Sequence, residues 1–266
     1  MRAGLIVWLR EKGHDVAGPF HVRLTQAEEA AYGAWNKIGF ANAQLAKLVS
    51  DAARTGAFPL ILESNCYAAI GVLAGLQMSA GNASPRIGMI WIDAHGDCNT
   101  PETTLSGMLS GMPVAIACGL CLNRLRNQSG LVSPIEPRDI VMVCVRANDP
   151  HEQELIGRAG IEIVPVADIK GDCKKLRGAM ERLSHNVDAI YVHFDVDALD
   201  SSEVASMWLT APNGPTRTEL GAAMKIVMAY PNVAALGVSD LNPERDEDGQ
   251  MVQAALAVVK GACCGY

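Results

Sequence analysis

The sequence predicts an α/β protein with a doubly wound, mostly parallel sheet and helices on both faces. Apolar, β-rich runs alternate with helical patterns along almost the whole chain, as in βαβ units. Most of these runs are continuously apolar, which is typical of strands buried on both faces of a parallel sheet. The chain has 266 residues, 49% of them hydrophobic, enough for one sizeable core.

Individual elements follow from hydrophobic periodicity and from turn residues. The predicted strands are 14–20, 58–64, 86–95, 139–146, 161–169, 189–199 and 233–241. The predicted helices are 26–54, 66–80, 150–160, 173–185, 216–230 and 248–262. No repeat and no linker rich in Pro, Gly or Ser interrupts this order, so residues 1–266 are expected to form a single domain.

Composition excludes several classes of partner. The net charge is −7 and no run of Lys or Arg stands out, so a nucleic acid or an anionic membrane is not expected as a partner. No apolar stretch approaches the length of a membrane span, and the N-terminus lacks the features of a signal peptide. Eight scattered cysteines indicate reduced thiols, and a cytoplasmic protein is expected.

Four predicted strands end in polar residues that can carry chemistry. The segments are ESNC (63–66), DAHGD (93–97), DVD (195–197) and SDLNP (239–243). Ligand sites of open parallel sheets lie beyond the carboxyl ends of the strands. The fold would therefore bring these segments to one edge of the sheet.

The acidic segments predict a metal site. Asp93, His95 and Asp97 alternate, as do Asp195 and Asp197, and alternate residues of an extended strand face the same side. Converging carboxylates repel one another unless cations are present, and a divalent metal or a metal pair would remove that repulsion. Carboxylates with one or two nitrogen ligands suit Mn²⁺ better than structural zinc. Solvated acids or helix N-caps are the alternative. His193 is expected to pack or hydrogen-bond within its strand.

The motifs DAHGD, NTPETT, SGMLSGMPVA, FDVDALD and SDLNP resemble those of the ureohydrolases, the arginase and agmatinase family. The order and approximate spacing match from Met1 to near the C-terminus. The resemblance implies a three-layer α/β/α fold and two Mn²⁺ ions per chain, whose bridging hydroxide attacks a guanidino carbon. It further implies that Asp93 and Asp195 bridge the ions, that Asp97 completes the first site, and that Asp97 passes a proton to the leaving amine. His95 and Asp197 would complete the second site.

The loop after DAHGD is similar to that of arginases more than to that of agmatinases. In arginases the residues at the positions of Asn99 and Ser106 hold the α-carboxylate of the substrate, and the aspartate at the position of Asp149 meets its α-amino group. The resemblance therefore implies an amino-acid substrate. Turn and loop roles are the alternative for Asn99 and Ser106.

Three positions depart from the family pattern. Cys66 stands where the family has a metal-binding His; it could bind a metal, weaken the first site or only pack. Ser110 replaces a His that assists proton transfer in arginases, and Ser does not titrate near neutral pH. Asp240 replaces the Glu that pairs with the guanidinium and has a shorter reach.

This pattern favours a modified guanidino substrate. N-hydroxyguanidines are less basic than guanidines, so their hydrolysis could depend less on the missing His. The expected reaction converts Nω-hydroxy-L-arginine to L-ornithine and hydroxyurea, an activity that the family contributes to D-cycloserine biosynthesis, an antibiotic pathway. L-arginine, formimidoylglutamate or another amidino compound, and a catalytically silent binding protein, are the alternatives. The chain ends soon after its last helix, without the tail that arginase trimers use, which favours a monomer.

Overall fold

A computed structural model describes residues 4–81, 83–205, 207, 209–242 and 244–263. Pro243, the last residue of the SDLNP motif, lies outside them. The strands are β1 (Leu60–Leu62), β2 (Ile87–Ile92), β3 (Ile140–Val143), β4 (Glu162–Val164), β5 (Ala189–Asp195) and β6 (Val233–Ser239). The helices are α1 (Leu5–Glu11), α2 (Gln26–Glu29), α3 (Ala34–Arg54), α4 (Ala69–Ser79), α5 (Pro113–Ala117), α6 (Asn123–Gln128), α7 (Pro150–Ala159), α8 (Val166–Ile169), α9 (Lys174–Asn186), α10 (Arg217–Met228) and α11 (Gln250–Cys263).

The strands form one sheet in the order β1-β6-β5-β2-β3-β4. Every neighbouring pair is parallel. The chain therefore winds outward from the centre in both directions, which confirms the predicted doubly wound sheet. The central strands are β5 and β2, in register from Ile87 opposite Ala189 to Ile92 opposite Phe194.

Helices cover both faces of the sheet because each strand is apolar on both faces. In β2, Met89 and Trp91 pack into a core that includes residues of α3, α4, α5 and α7. Ile90 and Ile92 pack into a second core with residues of α9, α10 and α11. Successive side chains of a strand point to opposite faces, so a continuous apolar run is what two buried faces require.

The predicted strand 14–20 is wrong. The segment has no regular structure, and Gly18 and Pro19 explain this result. Gly18 adopts a φ of 99°, and Pro19 has no N–H to donate to a strand ladder. The side chain of Phe20 is 70% exposed and adds nothing to the core.

Two other segments divide into separate elements. Segment 161–169 divides at Pro165, which ends β4 and precedes the short helix α8. Segment 26–54 divides between α2, which ends at Glu29, and α3, which begins after Gly33, whose φ is 89°. Both boundaries are local backbone effects that interrupt an otherwise suitable apolar pattern.

No helix among the described residues is long and apolar enough to cross a membrane. Several cysteines are buried in the two cores as thiols, as their scattered positions predicted: Cys66, Cys98, Cys118, Cys121, Cys144 and Cys173.

Candidate metal centre

The carboxyl ends of four neighbouring strands meet at one edge of the sheet, as predicted. Asp93 follows β2 directly, Asp195 is the last residue of β5, and Asp240 follows β6 directly. Cys66 lies four residues beyond β1 and begins a short 3₁₀ turn. Since β1, β6, β5 and β2 are consecutive in the sheet, these residues reach one location from distant parts of the sequence.

Two groups of possible metal ligands lie at this edge and share Asp93. The first contains Cys66, Asp93, His193 and Asp195, and the second contains Asp93, His95 and Asp197. Within each group the ligand atoms lie within 4.8 Å of one another. Five of the six predicted metal ligands therefore belong to the two groups, and His193 joins them.

The second group is held by hydrogen bonds around His95. The His95 Nδ1 atom lies 3.0 Å from Asp197 Oδ2 and 3.4 Å from Asp93 Oδ1. The backbone N–H of His95 also donates to Asp93 Oδ1 at 2.7 Å. Asp197 is fixed from the other side, because its Oδ1 accepts from the Ala94 N–H at 3.2 Å.

Asp97 lies outside both groups but close to them. It is 7% exposed, and its backbone adopts a φ of 46°, a left-handed conformation that is rare for residues other than Gly. Asp240 shares this feature, with a φ of 59°. Strained backbone of this kind collects at functional sites, where the surroundings hold it in place.

The carboxylates are poorly accommodated without cations. Burial, together with the charge of Asp197, raises the pKa of Asp93 to about 7. Burial and the charges of Asp197 and Asp93 raise the pKa of Asp195 well above its usual range. Burial and Asp93 do the same to the pKa of Asp97. In the metal-free protein these groups therefore favour protonation.

His95 and Asp197 behave as an ion pair within the same cluster. Burial lowers the pKa of His95, but hydrogen bonds and charges from Asp197 and Asp93 outweigh it and raise the pKa to about 11. Burial raises the pKa of Asp197, but its contacts with His95 outweigh this effect and lower the pKa. A metal ion at this position would replace the proton of the imidazole as the positive partner.

Cys66 lies inside the first group as a thiol. Its Sγ donates to Asp195 Oδ2 at 3.0 Å and lies 3.3 Å from Ser239 Oγ. Burial, followed by the charges of Asp195 and Asp97, raises the pKa of Cys66 well above its usual range. Without a cation the thiolate form is therefore disfavoured.

The predicted substrate loop lies against the N-terminus of α7. Asn99 Nδ2 donates to Asp149 Oδ2 at 3.2 Å, so these two residues are in direct contact. The N–H of Leu105 approaches the same carboxylate oxygen at 3.4 Å, which brings the loop that carries Ser106 to this position. Ser106 itself is exposed and accepts from the Met108 N–H.

Asp240 lies close to the cluster, and the turn that contains Ser110 contacts the turn that contains Cys66. Ser110 is half-buried in a 3₁₀ turn, and the following Gly111 carbonyl accepts from the Asn99 N–H at 2.9 Å. The side chain of Asp240 is partly buried, and burial followed by the charge of Asp197 raises its pKa.

Two residues that hold this edge were missed in the sequence. Arg146 donates to six backbone carbonyls at the ends of β3 and β5 and in the following loop: Cys144, Asp197, Ala198, Leu199, Ala211 and Pro212. Glu152 accepts from the Cys98 N–H at 2.8 Å and from the Asp149 N–H at 3.1 Å. The capping-box spacing of Asp149 and Glu152 was a usable signal for the second.

The donor set fits a divalent metal. Buried carboxylates with raised pKa values, an imidazole already bound by two of them, and a second buried imidazole without a partner on Nε2 surround one location. Oxygen and nitrogen donors of this kind bind divalent ions of intermediate hardness. Solvated acids and helix caps do not explain the arrangement, because the acids are buried and converge.

Comparison with known proteins agrees with this geometry. The family model described as the Arginase family matches residues 11–264. An arginase of Bacillus caldovelox is 31% identical over 224 residues, covering 84% of this chain and 74% of that protein. An arginase of Brevibacillus brevis is 28% identical over 265 residues, covering 97% and 87% respectively. The crystal structure of an arginase from Bacillus subtilis superposes with a TM-score of 0.87 at 27% identity, covering 100% of this chain and 90% of that one.

A parallel sheet between helices, with a buried carboxylate–imidazole cluster at its carboxyl edge, defines an α/β protein with a candidate metal site. The chain belongs to the arginase family, whose members are hydrolases acting on guanidino compounds.

Proposed function

We propose that this protein hydrolyses the guanidino group of an arginine-like amino acid by adding water to its carbon. The proposed substrate is Nω-hydroxy-L-arginine, and the products are L-ornithine and hydroxyurea. The observation that carries the proposal is the pair of ligand groups that share Asp93 at the carboxyl edge of the sheet. A carboxylate shared by two ligand groups is suited to holding two neighbouring divalent ions.

Two Mn²⁺ ions per chain are the proposed cofactor. When bound, they would lower the pKa of a water molecule and supply hydroxide at neutral pH. The proposed ligands are the six residues that the sequence indicated: Cys66, Asp93, His95, Asp97, Asp195 and Asp197. Asp97 additionally holds the proton that the leaving amine of ornithine takes up.

The amino-acid head of the substrate is assigned to the loop against α7. Asn99 and Ser106 donate to the α-carboxylate, and Asp149 accepts from the α-amino group. The contact between Asn99 and Asp149 supports this assignment, since one side chain suits each charge of a zwitterion. Asp240, which lies close to Asp197 and His193, is assigned to the guanidino end.

The residue at position 110 favours the N-hydroxylated substrate. A serine cannot deliver a proton near neutral pH as the imidazole of an arginase does. An N-hydroxyguanidine is less basic, so its neutral form is available without that assistance. L-arginine is the second candidate, because the curated relatives are named arginase.

Turnover of a substrate panel tests the proposal. The Mn²⁺-loaded protein is assayed with Nω-hydroxy-L-arginine, L-arginine, agmatine and formimidoylglutamate, and the released amine is identified. A higher kcat/KM for Nω-hydroxy-L-arginine is expected, with Asp97→Asn as the inactive control for contaminating arginase. A clear preference for L-arginine would leave the hydrolase intact and refute the substrate. A monomer remains the prediction for the assembly, which sedimentation would test.

A further inference from the structure

His193 occupies the centre of the sheet, next to the candidate metal centre. It lies opposite Trp91 of β2 and Gly237 of β6, and its side chain is fully buried. Its ring stacks on Trp91 with the ring centroids 3.7 Å apart and the planes 8° from parallel. Because it precedes Asp195 by two residues in the same strand, both side chains leave the strand on the same side.

Hydrogen bonds fix which nitrogen of His193 carries a proton. The Tyr191 hydroxyl donates its only proton to Glu63 Oε1 at 2.6 Å. The His193 Nδ1 atom lies 2.9 Å from the Tyr191 oxygen and 3.3 Å from Glu63 Oε2. Both oxygens can only accept in this arrangement, so Nδ1 bears the hydrogen and the lone pair resides on Nε2.

The Nε2 lone pair has no hydrogen-bond partner among the described residues, although the side chain is fully buried. A buried acceptor without a donor is costly, so its retention calls for an explanation. The imidazole offers a ligand atom within 4.8 Å of those of Cys66, Asp93 and Asp195. Because Nδ1 carries the hydrogen that faces the Tyr191 and Glu63 oxygens, Nε2 is the nitrogen left to bind a metal.

We propose that His193 binds the first metal ion through Nε2, and that Tyr191 and Glu63 are positioning residues that hold its ring and its tautomer. This inference rests on the metal-dependent function proposed above. Metal-binding imidazoles commonly donate their other N–H to an oxygen acceptor, which fixes the ring and makes the donor nitrogen more basic. The network of Glu63, Tyr191 and His193 has this form.

The assignment changes how the first site is completed. The family pattern places a metal-binding His at the position of Cys66, at the end of β1. In this chain the imidazole comes from β5, two strands away in the sheet order, and enters the same group of ligands. The nitrogen donor that Cys66 does not supply is therefore provided by another strand, within the same group of ligands.

Mn²⁺ binding by wild type and variants tests the inference. In His193→Phe the aromatic stack on Trp91 is kept and the nitrogen donor is removed. The wild type is expected to bind two Mn²⁺ ions, and the variant to lose at least about 100-fold in affinity at one of them. Electron paramagnetic resonance of Mn²⁺ bound to protein labelled with ¹⁵N-histidine should show one fewer coordinated nitrogen in the variant.

Melting temperatures with and without Mn²⁺ separate a ligand from a packing residue. Binding to the folded state raises the melting temperature, so loss of a ligand reduces this rise. Trp91→Phe is the matched control, because it alters the stack and keeps every donor of the site. It should change the metal-free melting temperature and leave the rise on adding Mn²⁺ intact.

Each outcome decides between the two proposals. If His193→Phe binds two Mn²⁺ ions with wild-type affinity, the inference is overturned and the metal-dependent hydrolase stands. If the wild type binds no Mn²⁺, both are overturned. Should His193→Phe not fold, Tyr191→Phe replaces it, with an expected loss of about 10- to 100-fold in Mn²⁺ affinity; unchanged affinity there would overturn the inference.

Discussion

Replacing Arg146 with Lys should loosen the edge of the sheet that carries the candidate metal centre. The guanidinium of Arg146 donates to carbonyls that follow β5 and to others in the loop at 211–212, and so joins them to the end of β3. A Lys ammonium keeps the charge and has only three donors at one point, whereas the guanidinium is a planar fork.

The expected loss in the free energy of unfolding follows from the number of hydrogen bonds that Arg146 makes. Arg146 donates to six carbonyls, of which a Lys could satisfy three at most. At about 1 kcal/mol for each net hydrogen bond, the loss is about 3 kcal/mol in the free energy of unfolding. For a chain of this length, that corresponds to roughly 6 °C in melting temperature.

Metal binding should weaken in the same variant. Asp197, one of the candidate ligands, has its own carbonyl held by Arg146 at 3.3 Å. Residues that orient a ligand typically contribute about 10- to 100-fold to metal affinity. We therefore expect Arg146→Lys to bind Mn²⁺ at least about 10-fold more weakly, as measured by titration of the purified protein.

Arg126 provides the matched control. Arg126 is buried where Arg146 is half-buried, and its hydrogen bonds run from a single nitrogen to the Leu131 and Val132 carbonyls, at 3.0 and 2.7 Å. A Lys can reproduce two bonds from one nitrogen, so Arg126→Lys should cost less than about 1 kcal/mol. The reasoning is refuted if Arg146→Lys melts and binds Mn²⁺ as the wild type does, or if the two variants lose equal stability.

The remaining predictions concern protons, substrate and packing. Because the pKa of Asp93 is raised to about 7, its contribution to stability is fully present below pH 4 and is lost as pH rises towards 7. The melting temperature of the metal-free protein should thus fall between pH 5 and pH 8 while Mn²⁺ affinity rises; a metal-free melting temperature that climbs over this range would contradict this sign. Asp149→Ser keeps a cap for α7 and removes the negative charge that would meet the α-amino group. KM for the amino-acid substrate should therefore rise about 10-fold with kcat little changed. An unchanged KM would show that Asp149 does not bind the α-amino group. Ser110→His should raise kcat/KM for L-arginine at least about 10-fold, measured against Nω-hydroxy-L-arginine, and no gain would argue against a missing proton donor. Gly237→Ala places a Cβ onto the Glu63 carboxylate and the Tyr191 hydroxyl, and should lower the free energy of unfolding by about 1–3 kcal/mol in urea titrations; a neutral result would mean that this network tolerates displacement.

The sheet and most of the acidic cluster could be predicted because both depend on local pattern. A strand buried on both faces is continuously apolar, so six of the seven predicted strands are present in the structure. The alternation of Asp93 with His95 and of Asp195 with Asp197 places each pair on one side of an extended chain. The prediction of a strand at 14–20 was wrong because Gly18 and Pro19 interrupt the apolar pattern there.

What the sequence did not predict depends on which strands are neighbours. In the sequence, Arg146 looks like an ordinary cation at the end of a strand. Of its six acceptors, only the Cys144 carbonyl is nearby in the sequence, and the other five lie 50 or more residues away. The interpretation of His193 as a packed residue was reasonable for one strand considered alone. The hydrogen bonds that orient the His193 ring depend on the strand order, because β6 and β1 follow β5 in the sheet. That order brings Glu63, which follows β1, to the Tyr191 hydroxyl on β5.

Gly237 shows why that network is a property of the sheet and not of any single motif. It pairs with His193 in the register of β5 and β6, and any larger residue would overlap the Glu63 carboxylate and the Tyr191 hydroxyl. A small residue on β6 is therefore a condition for the hydrogen bonds that orient an imidazole on β5. In the sequence, a glycine in a strand suggests only a close approach of some kind. Under the proposal made for His193, its presence on β5 and the departure from the arginase pattern at Cys66 are two parts of one change, in which β5 supplies the nitrogen ligand that the family has after β1, two strands away.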